Sequence, residues 1–259
     1  MHVAPVAGTH LHYRLDGEPG APVVLLSNSL GTTLDMWEPQ AALLAQRYCV
    51  VRYDTRGHGQ SDVPPGPYAM DVLGRDAVAL LDHLGIARAA FCGLSLGGMT
   101  GMWLGVHAPQ RVSRLVLANT AAHMGAPDAM NERIAAVTAG GVAAIAAAVL
   151  DRWFTPEFAA REPARVAAVK AMLDRTPAAG YVACCHAIRD MDQRADIARI
   201  GVPTLVVAGT HDPSTPPAAG RFLAERIPGA RYVELPAAHL SNIEAASAFN
   251  AALAAFLAE

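Results

Sequence analysis

The stretch Ala89-Ala90-Phe91-Cys92-Gly93-Leu94-Ser95-Leu96-Gly97-Gly98 decides how this chain folds. Its first four residues form a short apolar run of strand type. Gly98-Met99-Thr100-Gly101-Met102-Trp103-Leu104 reads as a small-residue helix able to pack closely on a sheet. Between them Gly93-Leu94-Ser95-Leu96-Gly97 fits G-x-S-x-G, a sharp strand-to-helix turn that presents a serine hydroxyl at the top of a sheet. The glycines are needed because a Cβ would clash in such a turn. A buried helix N-cap serine is the plainer reading of the same pentapeptide. The choice between the two rests on what stands elsewhere in the chain.

Outward from this turn, strand and helix patterns alternate. Residues 3–6 and 11–15, separated by Gly8, suggest an opening antiparallel pair, and 22–27 is a continuous apolar run expected of a strand buried on both faces. Residues 37–46 read as a helix, 48–53 as a strand, 70–84 as a helix ended by Gly85, and 114–118 as a strand. Between about Thr120 and Ile200 the pattern is helical only, over 130–137, 142–153, 162–174 and 177–189. Alternation resumes with strands at 204–208 and 231–235 and helices at 217–226 and 245–257. The expectation is an α/β fold: a mostly parallel eight-stranded sheet with helices on both faces. Residues 1–120 and 200–259 would form the core, and 121–199 a helical cap over the strands' C-terminal ends.

Composition narrows the function. A chain of 259 residues can bury a sizeable core, and 53% hydrophobic against 17% charged residues describes a compact protein rather than a disordered one. A formal net charge of -3 supplies no basic patch for nucleic acid and no polybasic run for a membrane surface. No stretch approaches the roughly 18–20 apolar residues of a membrane span. The opening Met1-His2-Val3-Ala4-Pro5 lacks the charged and apolar regions of a signal peptide. Cys49 and Cys92 fall in expected strands, and adjacent Cys184-Cys185 has no metal-ligand spacing, so free thiols and a cytoplasmic location are expected.

A serine hydroxyl is a weak nucleophile at neutral pH and needs a base and an orienting carboxylate. After a G-x-S-x-G turn these follow in the order acid, then histidine, each on a loop after a strand. Asp212, in Gly209-Thr210-His211-Asp212-Pro213, follows the strand ending at Ala208, and His239 follows the strand ending at Leu235. His239 would take the Ser95 proton while Asp212 fixes the imidazole tautomer. Asp190 and Asp196 are rival acids within the helical insertion, and His211 precedes the expected acid in its own loop. The Leu96 backbone N–H would meet a developing oxyanion. A second donor is expected in Ser27-Asn28-Ser29-Leu30-Gly31, from Ser29 or, failing that, Leu30.

These motifs resemble the α/β-hydrolase superfamily, as does Asp54-Thr55-Arg56-Gly57-His58-Gly59-Gln60-Ser61, which fits its D-x-R-G-x-G-x-S loop. That loop is expected to be scaffold, shaped by glycines and a buried Asp–Arg arrangement, with His58 part of it. Further strings look like the 3-oxoadipate enol-lactonases. They are Ser27-Asn28-Ser29-Leu30-Gly31 with Met36-Trp37, Gly93-Leu94-Ser95-Leu96-Gly97-Gly98-Met99, Leu117-Ala118-Asn119-Thr120-Ala121, Asp151-Arg152-Trp153-Phe154, Gly209-Thr210-His211-Asp212 and His239-Leu240-Ser241-Asn242. The superfamily's common His-Gly pair is absent from the Ser29 loop, and Leu96 stands where methionine is common.

The resemblance implies hydrolysis of an enol-lactone to 3-oxoadipate in aromatic-compound catabolism, the β-ketoadipate pathway. The partners would be a small-molecule lactone and water, with no cofactor and no metal. A substrate carboxylate would want a cation from the cap, where Arg133, Arg152, Arg189 and His186 are candidates and Trp153 an apolar wall. A broad carboxylesterase, another lactonase, a perhydrolase and a non-catalytic binding protein of the same fold are the rival readings. Oligomeric state is not written in the sequence.

Overall fold

A computed structural model describes residues 2–6 and 8–259. The opening strands β1 (His2–Val6) and β2 (Thr9–Asp16) are followed by β3 (Val23–Ser27), α1 (Glu38–Leu44), β4 (Cys49–Tyr53) and α2 (Met70–His83). Next come β5 (Ala89–Leu94), α3 (Leu96–His107) and β6 (Val112–Ala118). Five α-helices then intervene: α4 (Asp128–Gly140), α5 (Ala146–Trp153), α6 (Pro156–Arg161), α7 (Pro163–Asp174) and α8 (Ala178–Asp190). The chain returns to the sheet with β7 (Thr204–Gly209), α9 (Pro217–Arg226) and β8 (Arg231–Leu235), then closes with α10 (Ser241–Glu244) and α11 (Ala246–Leu257).

The eight strands form one sheet in the order β1-β2-β4-β3-β5-β6-β7-β8. β2 runs antiparallel to both its neighbours, and every other pairing is parallel. Helices cover both faces, as expected from the alternating pattern. Burial follows composition: all residues of β5 and β7 are buried, whereas edge strands β1 and β8 keep exposed positions. A continuous apolar run is what a strand covered on both faces requires. β5 therefore lies mid-sheet, and its C-terminal end points the Ser95 turn at the sheet's upper rim. Among the described residues no helix is long and apolar enough to cross a membrane.

Three local expectations change. The helix expected over 37–46 opens as a 3-10 turn, Leu34–Trp37, with α1 confined to the residues after it. α6 is an additional helix, started by Thr155, whose hydroxyl accepts the Phe158 N–H, and by Pro156 in its first turn. The third change lies in the Asp54–Ser61 loop, which contains no Asp54–Arg56 pair. Asp54 is turned inward by the Leu34 and Gln60 N–H groups (2.8 and 3.0 Å) and meets His12 Nδ1 at 2.8 Å. Arg56 instead pairs with Asp76 of α2 and lies over the Tyr68 ring. The loop is thereby bolted to β2 on one side and α2 on the other.

Candidate active site

Ser95 occupies the turn between β5 and α3 at φ +56° and ψ -113°, a left-handed conformation that a non-glycine residue adopts only when its surroundings enforce it. Three bonds do so here. Ser95 N donates to Ala118 O at 2.9 Å, Thr120 Oγ1 donates to Ser95 O at 2.8 Å, and Met99 N donates to Ser95 O at 2.9 Å. Close approach fixes the flanking residue types. A Cβ on Gly93 would lie 2.1 Å from Gly97 O, and one on Gly97 would lie 2.1 Å from Ser27 O.

Asp212 and His239, each on a loop after a strand, meet. His239 Nδ1 lies 2.8 Å from Asp212 Oδ2, and both side chains are almost wholly buried. Asp212 is held by four further donors. Oδ2 accepts from Asn119 Nδ2 (3.0 Å) and Thr215 Oγ1 (2.7 Å), and Oδ1 from the Ser214 and Thr215 N–H groups (2.8 and 3.0 Å). Burial alone would raise this carboxyl. The His239 charge and the hydrogen bonds from His239, Asn119 and Thr215 outweigh burial and hold it below the ordinary carboxylate range. Ser95 and His239 line one cavity of about 280 Å³. Among the described residues no hydrogen bond yet joins Ser95 Oγ to His239, whose recorded contacts use Nδ1. Such catalytic bonds often tighten only around substrate.

The rival groups fall elsewhere. Asp190 pairs with Arg189, Asp196 pairs with Arg199, and His211 does not line this cavity. A larger groove of about 800 Å³, lined in part by His12, Asp54 and Arg175, contains none of Ser95, Asp212 and His239.

Leu96 opens α3, where first-turn N–H groups have no intrahelical partner. Ser29 reaches the cavity, and its N–H points to the Met36 sulfur at 3.3 Å. A thioether is a weak acceptor, so an oxyanion would take this donor over readily. Asn28 Nδ2 anchors the loop to Tyr53 O (2.8 Å), and Gly31 N anchors it to His58 Nε2 (2.9 Å).

The helical segment supplies the opposite wall. Arg133, Arg152, Trp153 and Arg189 line the cavity, and His186 does not. Arg189 is already engaged with Asp190 and Asn131. Among the described residues Arg133 and Arg152 form no ion pair with a carboxylate. Burial and the nearby Arg133 charge push Arg152 below the ordinary guanidinium range, against the influence of Tyr181 and Asp151. Two like charges facing a small cavity without a counter-ion suit an anionic ligand.

Two contacts absent from the sequence reading tie this wall to His239. Leu240 N donates to Trp153 O at 3.1 Å. Glu244 accepts the Ala238 N–H at 2.9 Å and also receives the Thr155 hydroxyl and N–H. Asn119 bonds Asp212, and neither this contact nor its positive φ of 44° has a signal in the sequence.

Comparison with known proteins agrees with this architecture. A family model described as alpha/beta hydrolase fold matches residues 22–246. The chain belongs to the α/β-hydrolase family. Within it, the chain is 44% identical over 247 residues to 3-oxoadipate enol-lactonase 2 of Acinetobacter baylyi, covering 95% of this chain and 92% of that one. It is 41% identical over 237 residues to 3-oxoadipate enol-lactonase 1 of the same organism, covering 92% and 89%. The crystal structure of the enol-lactonase from Burkholderia xenovorans LB400 superposes with a TM-score of 0.98 at 49% identity, covering 100% of both chains. This α/β-hydrolase is thus similar to enol-lactonases along nearly its whole length, and it is a hydrolase.

Proposed function

We propose that this α/β-hydrolase opens 3-oxoadipate enol-lactone to 3-oxoadipate through an acyl-enzyme on Ser95, as a step of the β-ketoadipate pathway. The observation that carries the reading is the Asp212–His239 bond beside a strained Ser95 in one small cavity. The similarity to named enol-lactonases supports the substrate.

Asp212 keeps a proton on His239 Nδ1, which leaves the other ring nitrogen free to accept the Ser95 hydroxyl proton. The Ser95 oxygen attacks the lactone carbonyl, and the Leu96 and Ser29 N–H groups take the oxyanion. Collapse breaks the ring C–O bond, and the enolate leaves, a better leaving group than an alkoxide. It takes the proton from His239 and tautomerises to the ketone. Water, deprotonated by His239, then attacks the acyl carbon, and Ser95 recovers its proton as the acid departs. Residues 121–199 act as the cap, with Arg133 and Arg152 receiving the substrate carboxylate and Trp153 packing on its apolar part. No step calls for a metal or an organic cofactor.

The test is an ultraviolet assay on 3-oxoadipate enol-lactone with the parent and Ser95→Ala. Turnover by the parent, abolished together with fluorophosphonate labelling in the variant, is the expected result. Labelling and p-nitrophenyl acetate hydrolysis without lactone turnover would leave a serine esterase and remove the lactone assignment. No labelling of the parent would remove the serine mechanism.

A further inference from the structure

Asp212 Oδ2 must serve His239 in one direction, yet it accepts from three side chains at once. One of them, Asn119, comes from the end of a different strand, 93 residues away. We infer that Asn119 is a positioning residue, clamping Asp212 and the backbone beside His239 in a fixed mutual geometry. The inference rests on the Ser95–His239–Asp212 reading given above.

Asn119 is 1% exposed and sits directly after β6 at φ +44°. Asparagine tolerates this region better than most residues, though glycine does so at lower cost. Its amide does work that glycine could not do. Nδ2 donates to Asp212 Oδ2 at 3.0 Å and to Ala238 O at 3.2 Å, the carbonyl immediately before His239. Ser241 Oγ donates to Asn119 Oδ1 at 2.5 Å, which fixes the amide orientation so that the NH2 group faces the carboxylate. Ser241 itself is fully buried two residues beyond His239. A closed ring results, running from the acid to Asn119, to the chain on both sides of His239, and back through the imidazole.

Ser95 and Asn119 are the two non-glycine residues with positive φ among the described residues, and they end adjacent strands β5 and β6. Ser95 N donates to Ala118 O, the carbonyl next to Asn119. Backbone strain is thus concentrated where the nucleophile's turn touches the acid's holder.

The electrostatic consequence has a definite sign. The groups facing Asp212 are Asn119 from the end of β6, Ser214 and Thr215 from its own loop, and His239 from beyond β8. Of these only His239 carries an ionisable side chain. The Asn119 N–H disperses the carboxylate charge. This bond is one of those that hold the Asp212 carboxyl low, so its removal lets the carboxyl rise, and the loss of rate on acidification sets in at higher pH.

The test compares Asn119→Gly, Asn119→Asp and Ser241→Ala with the parent on p-nitrophenyl acetate. Fluorophosphonate active-site titration normalises each to folded enzyme. Asn119→Gly keeps the backbone accessible and deletes the amide. The expected result is a kcat roughly tenfold lower, from one lost charge-assisted hydrogen bond, with KM changed less than about twofold and the acid limb shifted upward. Asn119→Asp keeps the shape but sets a second carboxylate against Asp212, and should lose more, increasingly so as pH rises. Ser241→Ala frees the amide to turn and should fall between the parent and Asn119→Gly. Parent kcat and an unmoved acid limb in Asn119→Gly would overturn the inference. Full activity in an Asp212→Ala control would instead remove the triad reading beneath it.

Discussion

His58 accepts the Gly31 N–H through Nε2 at 2.9 Å, and its Nδ1 lies 3.3 Å from the Arg56 carbonyl oxygen. This pair fixes the neutral tautomer with the proton on Nδ1, because a protonated Nε2 could not accept. Burial acts the same way, pushing His58 below its ordinary value of 6.5 against smaller upward influences from the Arg56 carbonyl and Asp54. A base depressed in the folded state contributes its stability in full above the unfolded pKa. That contribution is lost as pH falls from there through the folded pKa, because the unfolded chain takes up the proton first. His58→Ala should cost about 1–3 kcal/mol at neutral pH from the orphaned Gly31 N–H. Its urea-unfolding free energy should also fall less steeply below about pH 6.5 than the parent's. An equal slope in both proteins would show that His58 is not the titrating support of the Ser29 loop.

The elbow allows no side chain at Gly97. A Cβ there would meet the Ser27 carbonyl oxygen at 2.1 Å and its carbon at 2.5 Å, both main-chain atoms of β3 that cannot rotate away. Gly97→Ala must therefore push α3 off the sheet. The expected loss is about 3 kcal/mol or more, with fluorophosphonate labelling of Ser95 abolished even in the protein that remains folded. A thermal melt paired with labelling checks this, and a well-folded, labelled Gly97→Ala would contradict the close approach.

That Ser95, Asp212 and His239 come together was legible because each follows an apolar run of strand type, and strand ends converge on one rim of a parallel sheet. Side-chain pairing across the fold carries no such periodic signal. Asp54 and Arg56 stand two residues apart in a loop motif, yet they partner His12 and Asp76 on other elements. Asn119 likewise becomes meaningful only once β6 and β7 lie side by side. Some missed signals were local. Thr155-Pro156 is an ordinary helix start. Adjacency to an acid was no guide to pairing: Arg189 pairs with its neighbour Asp190, whereas among the described residues Arg133 beside Glu132 and Arg152 beside Asp151 do not.

Glu244 joins the His239 loop to the helical wall, since one carboxylate receives the Ala238 N–H and the Thr155 N–H and hydroxyl. Glu244→Ala leaves these donors without their acceptor, at a cost of about 1–3 kcal/mol, and loosens His239 and Trp153 together. Both kcat on p-nitrophenyl acetate and the melting temperature should fall. Glu244→Gln retains one acceptor oxygen and should recover part of each. Parent-like kcat in a destabilised Glu244→Ala would confine the residue to a purely structural role.

Arg133 and Arg152 face the Ser95 cavity and, among the described residues, pair with no carboxylate, whereas Arg189 spends its charge on Asp190. A free guanidinium in a small cavity is costly until an anion arrives, and its hydrogen bonds to that anion are then charge-assisted. Removing either arginine should weaken binding of the carboxylated lactone by about 1.5–3 kcal/mol, roughly 10- to 150-fold in KM. p-Nitrophenyl acetate bears no carboxylate, so its KM should stay near the parent value in Arg133→Ala and Arg152→Ala. Arg189→Ala should raise the lactone KM less, because its charge is already compensated. Steady-state kinetics of the three variants on both substrates separates the cases. Equal losses on lactone and neutral ester would mean that the arginines shape the cavity rather than bind the carboxylate, and the anionic end of the substrate would then need another receiver.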